Sequence, residues 1–174
     1  MKIAELLLQT LEHNGVTHIF GNPGTTELPI MHALKEHPDL TYVLGLQESI
    51  VVAIADGYSR ASGRPGVCMA QQIGASNLAA GLRDGFMACS PMIAITGGSV
   101  PGSRYRHAYQ EVEDFSQFDS VSKLSLQADD VSRLPDLLRQ LFRAVTTGAP
   151  LPPGGVPERS AAVAVPFAAD TAEM

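Results

Sequence analysis

The stretch Gly45 to Val67, GLQESIVVAIADGYSRASGRPGV, decides the fold. A short apolar run (Tyr42, Val43, Leu44, Leu46) leads into the polar pair Gln47-Glu48, and the pattern then turns helical. Ile50, Val51, Ile54, Ala55 and Tyr58 recur three and four residues apart, one face of an amphipathic helix. Gly63 stands where a C-capping glycine belongs and Pro65 forbids continuation, so the spacing predicts a helix over 48–62. Glu48 then lies past the carboxyl end of a strand and in the first turn of a helix. A carboxylate there is stabilised by the helix macrodipole. The same edge of an open α/β sheet is also where ligands bind.

Working outward, residues 2–14 read as a helix with Ile3, Leu7 and Leu11 in one row, ended by Gly15. Val16 to Phe20 reads as a strand, Gly21 to Thr26 as a turn, and Glu27 to Lys35 as a helix capped by Thr25 or Thr26. Strands are expected at 40–46, 66–70 and 92–96, with a polar turn Gln71 to Ser76 and a helix over 77–88. After a Gly-rich loop at 97–104, Val121 to Leu126 reads as a further strand. Asp129-Asp130 opens a helix carrying the row Val131, Leu134, Leu138, Phe142 and Val145. Alternation of this kind predicts a three-layer α/β/α domain around a mostly parallel sheet with right-handed crossovers. The domain is expected over 1–148. Residues 149–174 form a Pro/Gly-rich, atypical tail, loosely ordered, with one short strand at Ala162 to Val165.

The 174 residues suit one domain with a substantial core, and 45% hydrophobic with 17% charged residues is a soluble, globular balance. A net charge of −6 argues against nucleic acid or an anionic membrane as partner. No apolar run approaches the roughly 20 residues of a membrane span. Glu5 and Glu12 interrupt any signal-peptide layout, and Cys68 and Cys89 fit reduced thiols, so a cytoplasmic location is expected. No metal motif emerges from the five histidines.

The run Glu48 … Ala55-Asp56-Gly57-Tyr58-Ser59-Arg60-Ala61 … Gly63 … Gly66-Val67 closely resembles the amino-terminal, pyrimidine-binding (PYR) domain of thiamine-diphosphate enzymes. The nearest branch is that of benzoylformate decarboxylase and acetolactate synthase. In that family the glutamate at the Glu48 position hydrogen-bonds the aminopyrimidine ring, so the resemblance implies that Glu48 is catalytic and cofactor-binding. The cofactor carries the hard step, and the protein supplies orientation and electrostatics. Such a carboxyl belongs in a water-poor pocket with a shifted pKa.

Three further segments carry the resemblance. Gly21-Asn22-Pro23-Gly24-Thr25-Thr26-Glu27-Leu28 is similar to the family's first active-site loop and precedes Glu48 by roughly 25 residues. It implies cofactor contacts from Asn22, Pro23 and Gly24, with Thr25 facing substrate. Gln71-Gln72-Ile73-Gly74-Ala75-Ser76-Asn77 occupies the place of a family loop of Gly-Pro-Gly type, but only Gly74 and Asn77 match well. Those two imply cofactor contacts. Gln71 or Gln72 stands where relatives often carry Thr or a substrate-facing His, and a plain β–α turn explains both glutamines equally. Tyr109-Gln110-Glu111-Val112 is similar to the family's Phe-Gln-Glu motif, which directs Gln110 toward the substrate across a dimer interface.

The family holds its diphosphate through Mg²⁺ on a separate domain, using Gly-Asp-Gly followed by Asn. These 174 residues contain no Gly-Asp-Gly, and the last asparagine is Asn77. The resemblance therefore implies thiamine diphosphate shared with a partner domain that binds Mg²⁺, in a homodimer or hetero-oligomer, and a chain inactive alone. Three readings stay open. They are a subunit of a split 2-oxo acid decarboxylase or carboligase, a truncated acetolactate synthase-like fragment, and a non-catalytic dimerisation or partner-binding domain. An exposed apolar face is expected in each.

Overall fold

The computed structural model describes residues 2–98, 105–107, 109–112, 115–128, 130–147 and the backbone of 161–164. Strands β1 (His18–Asn22), β2 (Thr41–Leu44), β3 (Gly66–Ala70), β4 (Met92–Thr96) and β5 (Ala161–Ala164) form one sheet in the order β2-β1-β3-β4-β5. Every neighbouring pair is parallel. The helices are α1 (Ile3–His13), α2 (Leu28–Ala33), α3 (Glu48–Ser62), α4 (Ala79–Met87) and α5 (Leu134–Thr146).

Strand alternation divides the core in two. On one face Ile19, Val67, Met69, Ile93 and Ile95 pack with Leu7, Leu8 and Leu11 of α1, Ile30 of α2, and Leu138, Leu141 and Phe142 of α5. On the other, Phe20, Cys68, Ala70, Met92 and Ala94 pack with Val51, Val52 and Ala55 of α3 and Leu82 of α4. Strands β3 and β4 are buried along their whole length, as helices on both faces require. Each fully buried leucine contributes about 2 kcal/mol of transfer free energy.

Three expectations are corrected. The first strand spans His18–Asn22 rather than Val16 to Phe20, because Gly21 and Asn22 sit in ladders opposite Leu44 and Ala70. Pairing on both sides overrides the turn-like composition of Gly-Asn-Pro. Residues 121–126 are not a strand. Val121, Leu124 and Leu126 are apolar because they pack against the two cores from irregular backbone. Neither Thr25 nor Thr26 caps α2, which is entered through a 3₁₀ turn, Thr25–Glu27, with no side-chain cap. The loop expected at 97–104 lies outside the described residues after Gly98. The short tail strand does form, at 161–164, and pairs with β4.

His37 ties the entry to β2 back onto α1. It is buried (5% exposed), with Nδ1 2.7 Å from Glu12 Oε2 and Nε2 3.3 Å from Glu5 Oε2. Carboxylates only accept, so making both contacts at once requires a proton on each ring nitrogen, the imidazolium form. Burial alone would lower its pKa. The bonds to Glu12 and Glu5 outweigh that and raise it above the ordinary 6.5.

A raised folded-state pKa makes this stabilisation complete below the unfolded value and lost as pH rises through the folded one. Urea titrations should therefore show the wild type losing stability as pH rises above about 6.5, while His37→Gln starts about 2 kcal/mol lower and lacks that slope. Equal slopes in the two proteins would contradict the clamp.

Candidate functional site

In the order β2-β1-β3-β4-β5 the chain leaves β1 toward β2 on one side and returns to β3 on the other. The crevice at the carboxyl ends of β1 and β3 is thus a topological switch point, the ligand position of open α/β sheets. The loop after β1 and the loop after β3 flank it. The first turn of α3 reaches it from beyond β2.

Glu48 is the meeting point of the three. Its placement begins with Gln47, the N-cap of α3, whose side chain accepts from the backbone N–H of Ser49 and Ile50. Asn22, the last residue of β1, donates from Nδ2 to Glu48 Oε1 at 3.0 Å. Asn77 donates from Nδ2 to Glu48 Oε2, also at 3.0 Å. Gly74 closes the cradle, since a Cβ there would stand 2.8 Å from Glu48 Oε1. Any side chain at 74 would push the carboxylate away.

Burial of Glu48 pushes its pKa up. The Asn77 amide, its own backbone N–H and the Asn22 amide outweigh this and hold it below the ordinary carboxylate value. The two amides occupy two of roughly four lone-pair sites on the carboxylate, which leaves acceptor directions for a ligand N–H. Glu48 is only half-buried.

The remaining expected residues gather beside this bracket. Gln71 Nε2 lies 3.4 Å from Thr25 Oγ1 and donates to Gln110 Oε1, so Thr25, Gln71 and Gln110 form one polar cluster. Gly24 backs onto the Gln71 carboxamide. Pro23 links the two groups along the chain, between Asn22 and Gly24. Among the described residues no group of three or more His, Cys, Asp or Glu could hold a metal ion. No helix of the described residues is long and apolar enough to cross a membrane.

Two residues escaped the sequence reading. Glu27 is buried at 1% exposure, and its carboxylate accepts from the Gly24 N–H at 2.8 Å and the Thr26 hydroxyl at 2.6 Å. It braces the loop that carries Asn22, and its spacing of three from Gly24 was the available signal. Burial raises its pKa against those bonds. The other is Tyr42, whose hydroxyl is buried with no hydrogen-bond partner among the described residues. Burial, then the Glu27 charge, push that phenol's pKa up.

The chain matches, over residues 1–118, the model of the thiamine pyrophosphate enzyme, N-terminal TPP binding domain. It belongs to that family. Among curated proteins it is 37% identical over 153 residues to a "probable acetolactate synthase large subunit" of Methanocaldococcus jannaschii, covering 87% of this chain and 26% of that protein. It is 34% identical over 152 residues to the chloroplastic acetolactate synthase of Arabidopsis thaliana, covering 87% of this chain and 23% of the relative. Among solved structures, the thiamine diphosphate-dependent 4-hydroxybenzoylformate decarboxylase of Rhodococcus jostii RHA1 superposes with a TM-score of 0.85 at 25% identity. That match covers 99% of this chain and 31% of the other. The chain spans about a quarter of the length of the curated relatives it matches.

Two substitutions test the geometry. Asn77→Ala removes a donor to the carboxylate and should raise the pKa of Glu48, read from the pH titration of its ¹³Cδ resonance. An unchanged value would mean that the amide does not hold the charge. Tyr42→Phe should leave thermal stability unchanged or increased, because it deletes a buried hydroxyl that has no partner. A loss above about 1 kcal/mol would show that the hydroxyl is bonded.

Proposed function

We propose that this chain supplies the aminopyrimidine-binding half of a thiamine-diphosphate site, with Glu48 as the carboxyl that engages the ring. The observation that carries this reading is the bracket at the switch point. Glu48 is held from both sides by Asn22 and Asn77 against a glycine, with acceptor directions left for a ligand. A carboxylate acceptor fits a flat heterocycle that presents an N–H or amino group, and its charge repels a diphosphate. Asn22, Pro23 and Gly24 line one side of the position, and Gly74 and Asn77 the other. Thiamine diphosphate supplies carbanion-stabilising chemistry when bound.

What this chain's own residues do is orient and hold a proton. In the open domain Glu48 is an ionised acceptor. A partner surface that excludes water strengthens the desolvation already acting on Glu48 and raises its pKa. The carboxyl then becomes able to share a proton with the ring it faces. Thr25, Gln71 and Gln110 form the substrate side, and none of them is a general acid or base.

The reaction class we infer is decarboxylation of a 2-oxo acid or carboligation. Relatives that are acetolactate synthases and a structural neighbour that is a 4-hydroxybenzoylformate decarboxylase support it. The diphosphate and its Mg²⁺ belong to a second domain, in a homodimer or hetero-oligomer. The absence of Gly-Asp-Gly from these residues supports that division. So do the exposed apolar side chains around the carboxyl edge: Leu28, Leu44, Leu46, Ile50 and Ile73 are each at least half exposed. We place the chain in the cytoplasm, consistent with two free cysteines, one of them buried.

Calorimetric titration with thiamine diphosphate and Mg²⁺ tests this. Tight binding, beyond the weak hold of the free chain, is expected only when a diphosphate-binding partner domain is added, and Glu48→Gln should weaken it at least tenfold. Absence of binding in every pairing, with the fold intact, would leave a partner-binding module and overturn the proposal.

A further inference from the structure

Residues 71 and 72 are consecutive glutamines, and each side chain reaches a single distant segment. Gln71 Nε2 donates to Gln110 Oε1, and Gln72 Nε2 donates to the Val112 carbonyl at 3.4 Å. Gln72 is buried at 4% exposure, so its reach to Val112 is not a surface accident. The segment they hold begins exposed and ends with Val112 packed against the second core. Tyr109 is 89% exposed, and Gln110 has φ +60°, a left-handed conformation that a side-chain-bearing residue rarely adopts unless its surroundings hold it there. Room for the clamp is made on the opposite side, where a Cβ on Gly24 would collide with the Gln71 carboxamide.

We propose that Gln71 and Gln72 are positioning residues, a two-point clamp that holds Tyr109 to Val112 over the loop after β3 and fixes the Gln110 carboxamide beside Thr25. The clamp rests on the function proposed above only in assigning that surface to the substrate side. Its chemistry is distinctive. Thr25, Gln71 and Gln110 are all neutral and both donate and accept, so the surface they build takes a polar substrate group without selecting its charge. Its grip does not change with pH across the neutral range.

Tyr109→Trp provides the reporter, since the chain contains no tryptophan. Time-resolved anisotropy of that side chain reads the mobility of the segment, and amide exchange of β3 verifies the fold. In this background Gln71→Ala and Gln72→Ala should each increase the fast-decaying fraction at least twofold while β3 stays protected. Gln71→Glu and Gln110→Glu should each stay clamped, because a carboxylate still faces a carboxamide that can donate to it. The double variant places two carboxylates together, so it should release at neutral pH and re-clamp on acidification to about pH 4, where the pair shares a proton.

A double variant as rigid at neutral pH as its parent, or alanine variants with unchanged anisotropy, would overturn the proposal. No cofactor enters these measurements. Failure of the clamp therefore leaves the cofactor reading standing, and failure of the cofactor reading leaves the clamp standing.

Discussion

The structure depends on three strand ends finishing at one height. Glu48 follows β2, Asn22 ends β1, and Asn77 follows β3, yet the three side chains close a bracket with two 3.0 Å bonds. The parallel ladders make this possible. Gly21 lies opposite Leu44 and Asn22 opposite Ala70, so β1 is aligned with both neighbours at their carboxyl ends. Shifting that register by one residue would turn Asn22 to the other face and exchange the two core surfaces. The apolar packing on both faces of the sheet thus also sets the geometry of the site.

The bracket is electrostatically open in the isolated chain. Desolvation is the largest influence on the Glu48 carboxyl, and the three donors still prevail over it. Glu27 shows the contrary balance one loop away, where deeper burial prevails over comparable hydrogen bonds. These two carboxylates of similar bonding, pushed in opposite directions by their depth, show how much water exclusion decides here. The half-exposed Glu48 and the apolar residues around it are the two features that a covering partner would change together.

Much of this was legible in the sequence. The 48–62 helix was readable to the residue, because Gly63 and Pro65 end it and its apolar spacing is regular. Strands β3 and β4 were readable as continuous apolar runs. Two of the misreadings share one cause: local composition spoke for a turn or a strand and tertiary contacts decided otherwise. Gly21-Asn22 looks like a turn until both neighbours of β1 are present, and Val121, Leu124 and Leu126 look like a strand although they only fill gaps against the cores. At the site, Glu48, Asn22 and Asn77 could be named from their motifs. The bracing by Glu27 had a signal in its spacing of three from Gly24, whereas the reach of Gln72 to Val112 had none, because that contact depends on a loop path that no spacing encodes.

The central claim is that the free chain already presents a bracket for an aminopyrimidine. The most direct measurement is a titration of the isotopically labelled chain with 4-amino-5-hydroxymethyl-2-methylpyrimidine, followed through the side-chain amide signals of Asn22 and Asn77. The account predicts saturable shifts at those two signals at millimolar ligand, lost in Glu48→Gln. Signals that stay still while the rest of the spectrum reports an intact fold would contradict it.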